Sequence, residues 1–164
     1  MVLRVQKSWE ILSRNESLTI EIMTGRLVLR EVSGVKILGV DPGKTTGIAL
    51  FSDEKFIVGY EISDYSQLET ILSNLKPDVV VVENFLINTR RPSHASYPLK
   101  FLGVVEYLCS TKNVTLVVQS PSVLSKMLSK VEDVHPSPHV RSAAAHVYYY
   151  IRRVDNAKRG AKKR

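Results

Sequence analysis

Four consecutive valines, Val79 to Val82, restrict most strongly what this chain can fold into. A strand with apolar residues at every position must be covered on both faces, as in parallel sheets packed between helices. The run follows Lys76-Pro77, which ends the preceding helical pattern, and it ends on Glu83. We therefore expect an α/β fold in which a carboxylate stands at the end of a central strand.

A second, largely apolar run, Val35 to Val40, also ends on a carboxylate, Asp41. Pro42-Gly43 then turns the chain and Gly47 to Phe51 forms another apolar run, a pattern typical of a β-hairpin. An Asp before Pro-Gly often only caps its own turn. Open α/β sheets, however, bind ligands where neighbouring strands end, so Asp41 and Glu83 are expected to lie together. Two such carboxylates stay ionised comfortably only beside a cation.

The remaining patterns predict further strands and helices around these two runs. In chain order they are a strand at 55–62, a helix at 66–75 opened by a capping box of Ser66 and Glu69, a helix at 99–110, a strand at 114–119, a helix at 123–128, and a last helix from Pro138 to about Arg153. Alternating residues on either side of Thr24-Gly25 predict a separate hairpin. The chain is thus divided into an N-terminal extension (1–34), one domain (35–153) and a basic tail (154–164).

One face of the last predicted helix carries polar groups. His139, Ser142 and His146 are spaced i, i+3 and i+7, which places them on the same side of the helix. A single histidine in such a position is usually packed or hydrogen-bonded. Two of them, in a chain with two carboxylates that need a partner, favour a functional site.

Basic residues are concentrated at the C-terminus. The net charge is +7, and the last thirteen residues hold seven of the 23 Lys and Arg and only one acid. This distribution indicates an arm for a polyanion, most simply nucleic acid, although a solubilising terminus has a similar composition. In the polar loop at 87–98, Arg90 and Arg91 are candidate phosphate contacts and Tyr97 a candidate base-stacking residue; a solvated loop is the alternative.

The composition argues against several other classes of protein. Hydrophobic residues make up 44% of the 164 residues, which allows one ordinary core. No apolar run approaches the roughly 20 residues of a membrane span, and the N-terminus has no signal-peptide pattern. The single cysteine, Cys109, fits a reducing compartment. We therefore expect a cytoplasmic protein without membrane partners.

The order of elements resembles the RNase H-like fold, and four motifs resemble the RuvC family of Holliday-junction resolvases in its small bacteriophage and viral form. The motifs, which together cover roughly residues 35–151, are LGVDPGKTTGIALF around Asp41, VVVVENFLI around Glu83, VVQSPS around Gln119, and HVRSAAAH from His139 to His146. The resemblance implies a mixed five-stranded sheet, with three antiparallel strands followed by two parallel ones and helices on both faces. If the source is viral, the protein would act in the host cytoplasm.

The resemblance also implies a function. It implies a structure-selective endonuclease that resolves four-way DNA junctions by phosphodiester hydrolysis, as a homodimer with two Mg²⁺ or Mn²⁺ ions. Asp41 and Glu83 match the first two metal-binding carboxylates of the family, and His139 matches a position that holds Asp or His. The resemblance therefore implies Asp41, Glu83 and His139 as metal ligands, and it adds Ser142 to the catalytic residues. His146 and Gln119 are expected to support these ligands. The residues expected to contact DNA are Lys44, Arg90, Arg91, Tyr97, Lys126, Arg141, Arg152, Arg153, Lys158 and Arg159.

Ser142 departs from the family pattern, because that position normally holds a further Asp. Serine is a poor Mg²⁺ ligand, so three alternatives stay open. The site works with its two carboxylates, His139 and water, with a preference for Mn²⁺; or Glu132 or Asp133 replaces the missing ligand; or the chain binds branched nucleic acid without cutting it. A YqgF-like RNA-processing nuclease is a further alternative with the same fold.

Overall fold

The computed structural model of the chain describes residues 18–23, 26–31, 34–84 and 96–162. The elements, in chain order, are β1 (Leu18–Met23), β2 (Arg26–Glu31), β3 (Lys36–Asp41), β4 (Thr46–Ser52), β5 (Lys55–Ile62), α1 (Tyr65–Leu75), β6 (Val79–Glu83), α2 (Ser96–Thr111), β7 (Thr115–Gln119), α3 (Val123–Val131) and α4 (Pro138–Ala161). Strands β1 and β2 pair antiparallel as a two-stranded sheet, as the alternating pattern predicted. No helix in the described ranges has both the length and the apolar character needed to cross a membrane.

The main sheet has the strand order β5-β4-β3-β6-β7. β3, β4 and β5 are antiparallel neighbours, whereas β6 and β7 run parallel to β3. This arrangement confirms the predicted mixed sheet. In the register between β3 and β6, Val40 pairs with Val82, so the next residue of each strand, Asp41 and Glu83, stands at the same edge.

The valine strand β6 is buried on both faces, as predicted. Val80 and Val82 belong to a core cluster covered by α1 and α2, where Leu68 and Phe101 pack. Val79 and Val81 face the opposite cluster, which α3 and α4 cover. Because successive side chains of a strand point to opposite sides, one run of four valines contributes to both cores.

Helix α4 lies directly on the backbone of the sheet. A Cβ atom added at Gly47 would overlap the carbonyl oxygen of His139, and one added at Gly39 would overlap the carbonyl oxygen of Ala143. The contact therefore depends on the absence of a side chain on the strand. It fixes the first turns of α4 over the ends of β3 and β4.

We expect Gly47→Ala to destabilise the fold by about 1–3 kcal/mol, because the added methyl group pushes α4 away from β4. Gly160→Ala is the matched control, since among the described residues nothing lies within 4 Å of a Cβ built at Gly160. Alanine is the better helix former, so this control is expected to be at least as stable as the parent protein. Urea unfolding measures both variants. Equal stability of Gly47→Ala and the parent protein would contradict the close contact.

Two predicted helix ends differ from the structure. The side chain of Asp64, not Ser66, caps α1, because its carboxylate accepts a hydrogen bond from the backbone N–H of Ser66 at 2.9 Å. The capping box of Ser66 and Glu69 was therefore wrong. Helix α4 also continues to Ala161, past the predicted end near Arg153, and includes most of the expected basic tail. Its half-buried Val154 extends the apolar face of the helix by another turn.

Candidate active site

The two carboxylates meet at the carboxyl ends of β3 and β6. Their side chains are 17% (Asp41) and 20% (Glu83) exposed. Burial and the negative charge of Glu83 raise the pKa of Asp41 to about 7. Burial also acts to raise the pKa of Glu83, but the hydrogen bond and charge of His146 outweigh it and hold that pKa below its usual range. The pair is thus short of positive charge, which a cation at this edge of the sheet would supply.

Two side chains of α4 hold one oxygen of Glu83. The Ser142 hydroxyl donates to Glu83 Oε2 at 3.3 Å, and His146 Nε2 lies 3.0 Å from the same oxygen. The other ring nitrogen of His146, Nδ1, lies 2.9 Å from Gln119 Oε1 at the end of β7. His146 is completely buried and Gln119 nearly so. The contacts Gln119–His146–Glu83 therefore link β7, α4 and β6 and fix the direction of the Glu83 carboxylate.

His139 stands on the open side of the site. Its Nδ1 is 3.5 Å from Asp41 Oδ2, and its side chain is 44% exposed. The position is set by the start of α4, where the Ser137 hydroxyl accepts a hydrogen bond from the Val140 N–H at 3.2 Å. His139 therefore reaches Asp41 and solvent together, which suits a group that contacts a bound substrate or water.

The donor set fits a cation that is completed by water and substrate. Within the described ranges, no three Asp, Glu, His or Cys side chains are grouped so as to hold a metal ion by themselves. Glu132 and Asp133 are exposed and belong to no such group. Mg²⁺, however, is commonly held by only one or two protein carboxylates, with water and phosphate oxygens as its other ligands. Asp41 and Glu83 provide such a pair.

The expected DNA contacts fall into different surroundings. Exposed side chains are found at Lys44, in the turn after β3, and at Lys126, Arg152, Arg153, Lys158 and Arg159 on α3 and α4. Lys126, Arg152 and Arg159 line a cavity of about 720 Å³ between these two helices. Lys130 lines the cavity as well, although it was not among the predicted DNA contacts. Its spacing of four residues from Lys126 could have placed it on the same face of the helix. Arg90 and Arg91 lie outside the described residues.

Two other expected contacts have internal partners. The Arg141 guanidinium donates to the carbonyl oxygens of His135 and Pro136, both at 3.1 Å, and so fastens the loop before α4. The Tyr97 hydroxyl donates to the Ser63 carbonyl oxygen at 2.7 Å, and its ring lies against Phe101. Both side chains therefore contribute to the local structure of the domain.

The raised pKa of Asp41 predicts that the metal-free protein loses stability as the pH rises. The pKa is about 7 in the fold against an ordinary value of 3.8, so protonated Asp41 favours the folded state. Its contribution is fully present below about pH 4 and is lost as the pH rises through about 7. Asparagine cannot ionise, so the stability of Asp41→Asn minus that of the parent protein should increase by about 2.5 kcal/mol as the pH rises from 5 to 8. Urea unfolding in EDTA measures the difference; a constant difference would contradict the shift.

The sheet order and the helices on both faces define an RNase H-like fold. Similar solved structures include T. thermophilus RuvC in complex with Holliday junction substrate (17% identity, 68% of this chain and 89% of that chain, TM-score 0.58) and the Thermus thermophilus RuvC structure (15%, 68% and 90%, 0.57). A Fowlpox virus resolvase complexed with Holliday junction DNA also matches (14%, 69% and 97%, 0.47). No protein-family model matches the sequence, and the comparison with curated proteins found no match.

Proposed function

We propose that this chain is a metal-dependent, structure-selective endonuclease that resolves four-way DNA junctions. The observation that carries the proposal is the pair Asp41 and Glu83, which lies at the strand ends of an RNase H-like sheet, where burial and the charge of Glu83 raise the pKa of Asp41. The similar fold of a RuvC protein solved with a Holliday junction supports the choice of substrate. A four-way junction is therefore the substrate to test first.

The side chains of the site have separate tasks in this proposal. Asp41 and Glu83 would hold Mg²⁺ or Mn²⁺, which when bound supplies Lewis-acid activation of a phosphodiester and of water. Ser142 and His146 keep the Glu83 carboxylate in one orientation through their contacts with Oε2. His139, on the open side, would orient the attacking water. Hydrolysis would leave a 5′-phosphate.

The basic surface of α3 and α4 would hold the DNA backbone. Lys126, Lys130, Arg152 and Arg159 line the cavity between the helices, and Asp155 is the one acid among the described residues that line it. Phosphate contacts of this kind set the position of a protein on nucleic acid without reading its sequence. This agrees with an enzyme that selects the shape of its substrate.

Removal of two of these charges is expected to weaken the salt dependence of junction binding. With Arg152→Gln and Arg159→Gln combined, the slope of log K against log salt should fall by about 2, because each phosphate contact contributes about 0.9. Binding titrations at several salt concentrations measure it. Lys55→Gln with Lys100→Gln, also exposed but on β5 and α2, is the control for net charge. An equal loss of slope in the control would show that the cavity is not the contact.

We also propose a homodimer, since symmetric cutting of a junction needs two sites. Helix α2 presents a candidate contact surface at Leu99, Gly103 and Tyr107, which are spaced by four residues and share one face. Leu99 is 37% and Tyr107 67% exposed, and among the described residues nothing lies within 4 Å of a Cβ built at Gly103. Analytical ultracentrifugation with Tyr107→Glu would test whether this surface joins two chains.

The proposed function is tested with a synthetic four-way junction, a linear duplex of the same sequence and the corresponding RNA junction. Each is incubated with the protein in Mg²⁺, in Mn²⁺ and in EDTA. We expect cleavage of the DNA junction alone, and only with metal. Metal-independent binding without cleavage would instead identify a silent junction-binding module. Preferred cleavage of RNA would favour the YqgF-like alternative.

A further inference from the structure

We propose that each chain binds one divalent cation, between Asp41 and Glu83, and that Ser142 and His146 exclude a second one. This inference rests on the proposed function only in that the carboxylate pair binds a metal. The nucleases that this fold resembles are expected to use two metals. In this chain α4 places the hydrogen-bond donors Ser142 and His146 where a second cation would need an acidic ligand.

The first argument concerns the oxygens of Glu83. A carboxylate that bridges two cations must offer lone pairs to both of them, and each of its oxygens has about two positions for a partner. Oε2 of Glu83 already has Ser142 Oγ at 3.3 Å and His146 Nε2 at 3.0 Å. The two contacts from α4 therefore fall on this oxygen, and the Ser142 hydroxyl hydrogen-bonds the Asp41 carboxylate as well. Oε1 would be the oxygen of Glu83 that binds the single cation.

The second argument concerns space and charge behind Glu83. The His146 ring is completely buried and is held from its far side by Gln119, 2.9 Å away. A cation at this place would have to displace the ring from a closed core. Ser142 is also buried, and its hydroxyl is a weaker ligand for a hard cation than a carboxylate. Among the described residues, no third acidic or His side chain completes a metal group here.

The number of bound ions is measured by titrating the metal-free protein with Mn²⁺ and recording electron paramagnetic resonance spectra. We expect one Mn²⁺ per chain, with the six-line spectrum of an isolated ion. Two ions per chain, with the spin-coupled spectrum of metals about 3.5–4 Å apart, would overturn the inference. Failure to bind any Mn²⁺ would overturn it as well.

Ser142→Asp tests whether α4 sets this limit. The new carboxylate supplies the missing acidic ligand, so the variant is expected to bind two Mn²⁺ ions and to show the coupled spectrum. Asparagine has the size of aspartate but no charge, so Ser142→Asn is expected to bind only one Mn²⁺ ion per chain. A single ion in a folded Ser142→Asp protein would refute Ser142 as the cause. If burial of Asp prevents folding, the count in the parent protein still decides between one ion and two.

The same preparations are assayed for cleavage of the DNA junction, so that the inference and the proposed function are tested separately. One Mn²⁺ with cleavage supports both. One Mn²⁺ without cleavage of any junction supports the inference and overturns the function. Two Mn²⁺ with cleavage overturns the inference and leaves the function intact.

Discussion

Asp41→Asn is expected to lower the rate of junction cleavage by roughly 10³-fold in Mg²⁺. The substitution replaces a carboxylate with a neutral amide, and the charge stabilisation that a metal supplies is worth several kcal/mol of barrier. The fold should remain intact, because burial of an ionised Asp41 is unfavourable in the metal-free protein and an amide removes that cost. Single-turnover cleavage of a labelled junction gives the rate, and binding in EDTA is expected to be unchanged.

Asp53→Asn is the matched control for this variant. Asp53 is exposed in the turn between β4 and β5 and has a positive φ of 47°, which asparagine also tolerates. The control should cleave at the parental rate. Cleavage by Asp41→Asn within tenfold of the parent protein would remove Asp41 from the proposed site.

His146→Leu is expected to destabilise the metal-free protein by about 3–5 kcal/mol. The substitution removes the group between Glu83 Oε2 and Gln119 Oε1 and leaves both oxygens without this partner in a nearly closed part of the core. Loss of one member of a buried charged or hydrogen-bonded pair typically has a cost of this size. Urea unfolding at pH 7 measures the change.

The matched control is His139→Leu, which changes the histidine on the same face of α4 two turns earlier. Because the His139 side chain is 44% exposed, we expect its removal to change the free energy of unfolding by less than about 1 kcal/mol. A double variant with Glu83→Gln should lose less than the sum of the two single changes, since the partners are in contact. Equal effects of His146→Leu and His139→Leu would contradict the structural role of the buried ring.

The central sheet was predictable because its signals are local. Four valines in succession require cover on both sides, and the helices α1 to α4 provide it. Helix ends were less accessible to prediction. The cap at Asp64 competes with an equally plausible one at Ser66, and the end of α4 depends on the burial of Val154 by other parts of the chain.

The site was predictable in part for the same reason. Asp41 and Glu83 end neighbouring strands, so a general rule of α/β sheets brings them together. The contact of Gln119 with His146 joins residues 27 positions apart, and it depends on how deeply α4 sits on the sheet. That depth follows from Gly39 and Gly47, whose effect appears only when the helix is in place. The contact of Tyr97 with Ser63 depends on tertiary structure in the same way. The partners of Arg141 are only five and six residues away, and this contact depends on the conformation of the loop before α4.

The length and continuity of α4 fix the distance between its two ends. The helix has 24 residues without a proline after its first position, and its only glycine, Gly160, stands one residue from its end. At about 1.5 Å per residue, Arg159 lies roughly 30 Å along the axis from His139. Such a helix has no proline or glycine hinge between its two ends, so under the proposed function a nucleic acid bound near Arg159 would be held at a fixed distance from the carboxylates. The span of the proposed substrate would then be a criterion for its selection, in addition to its charge and shape.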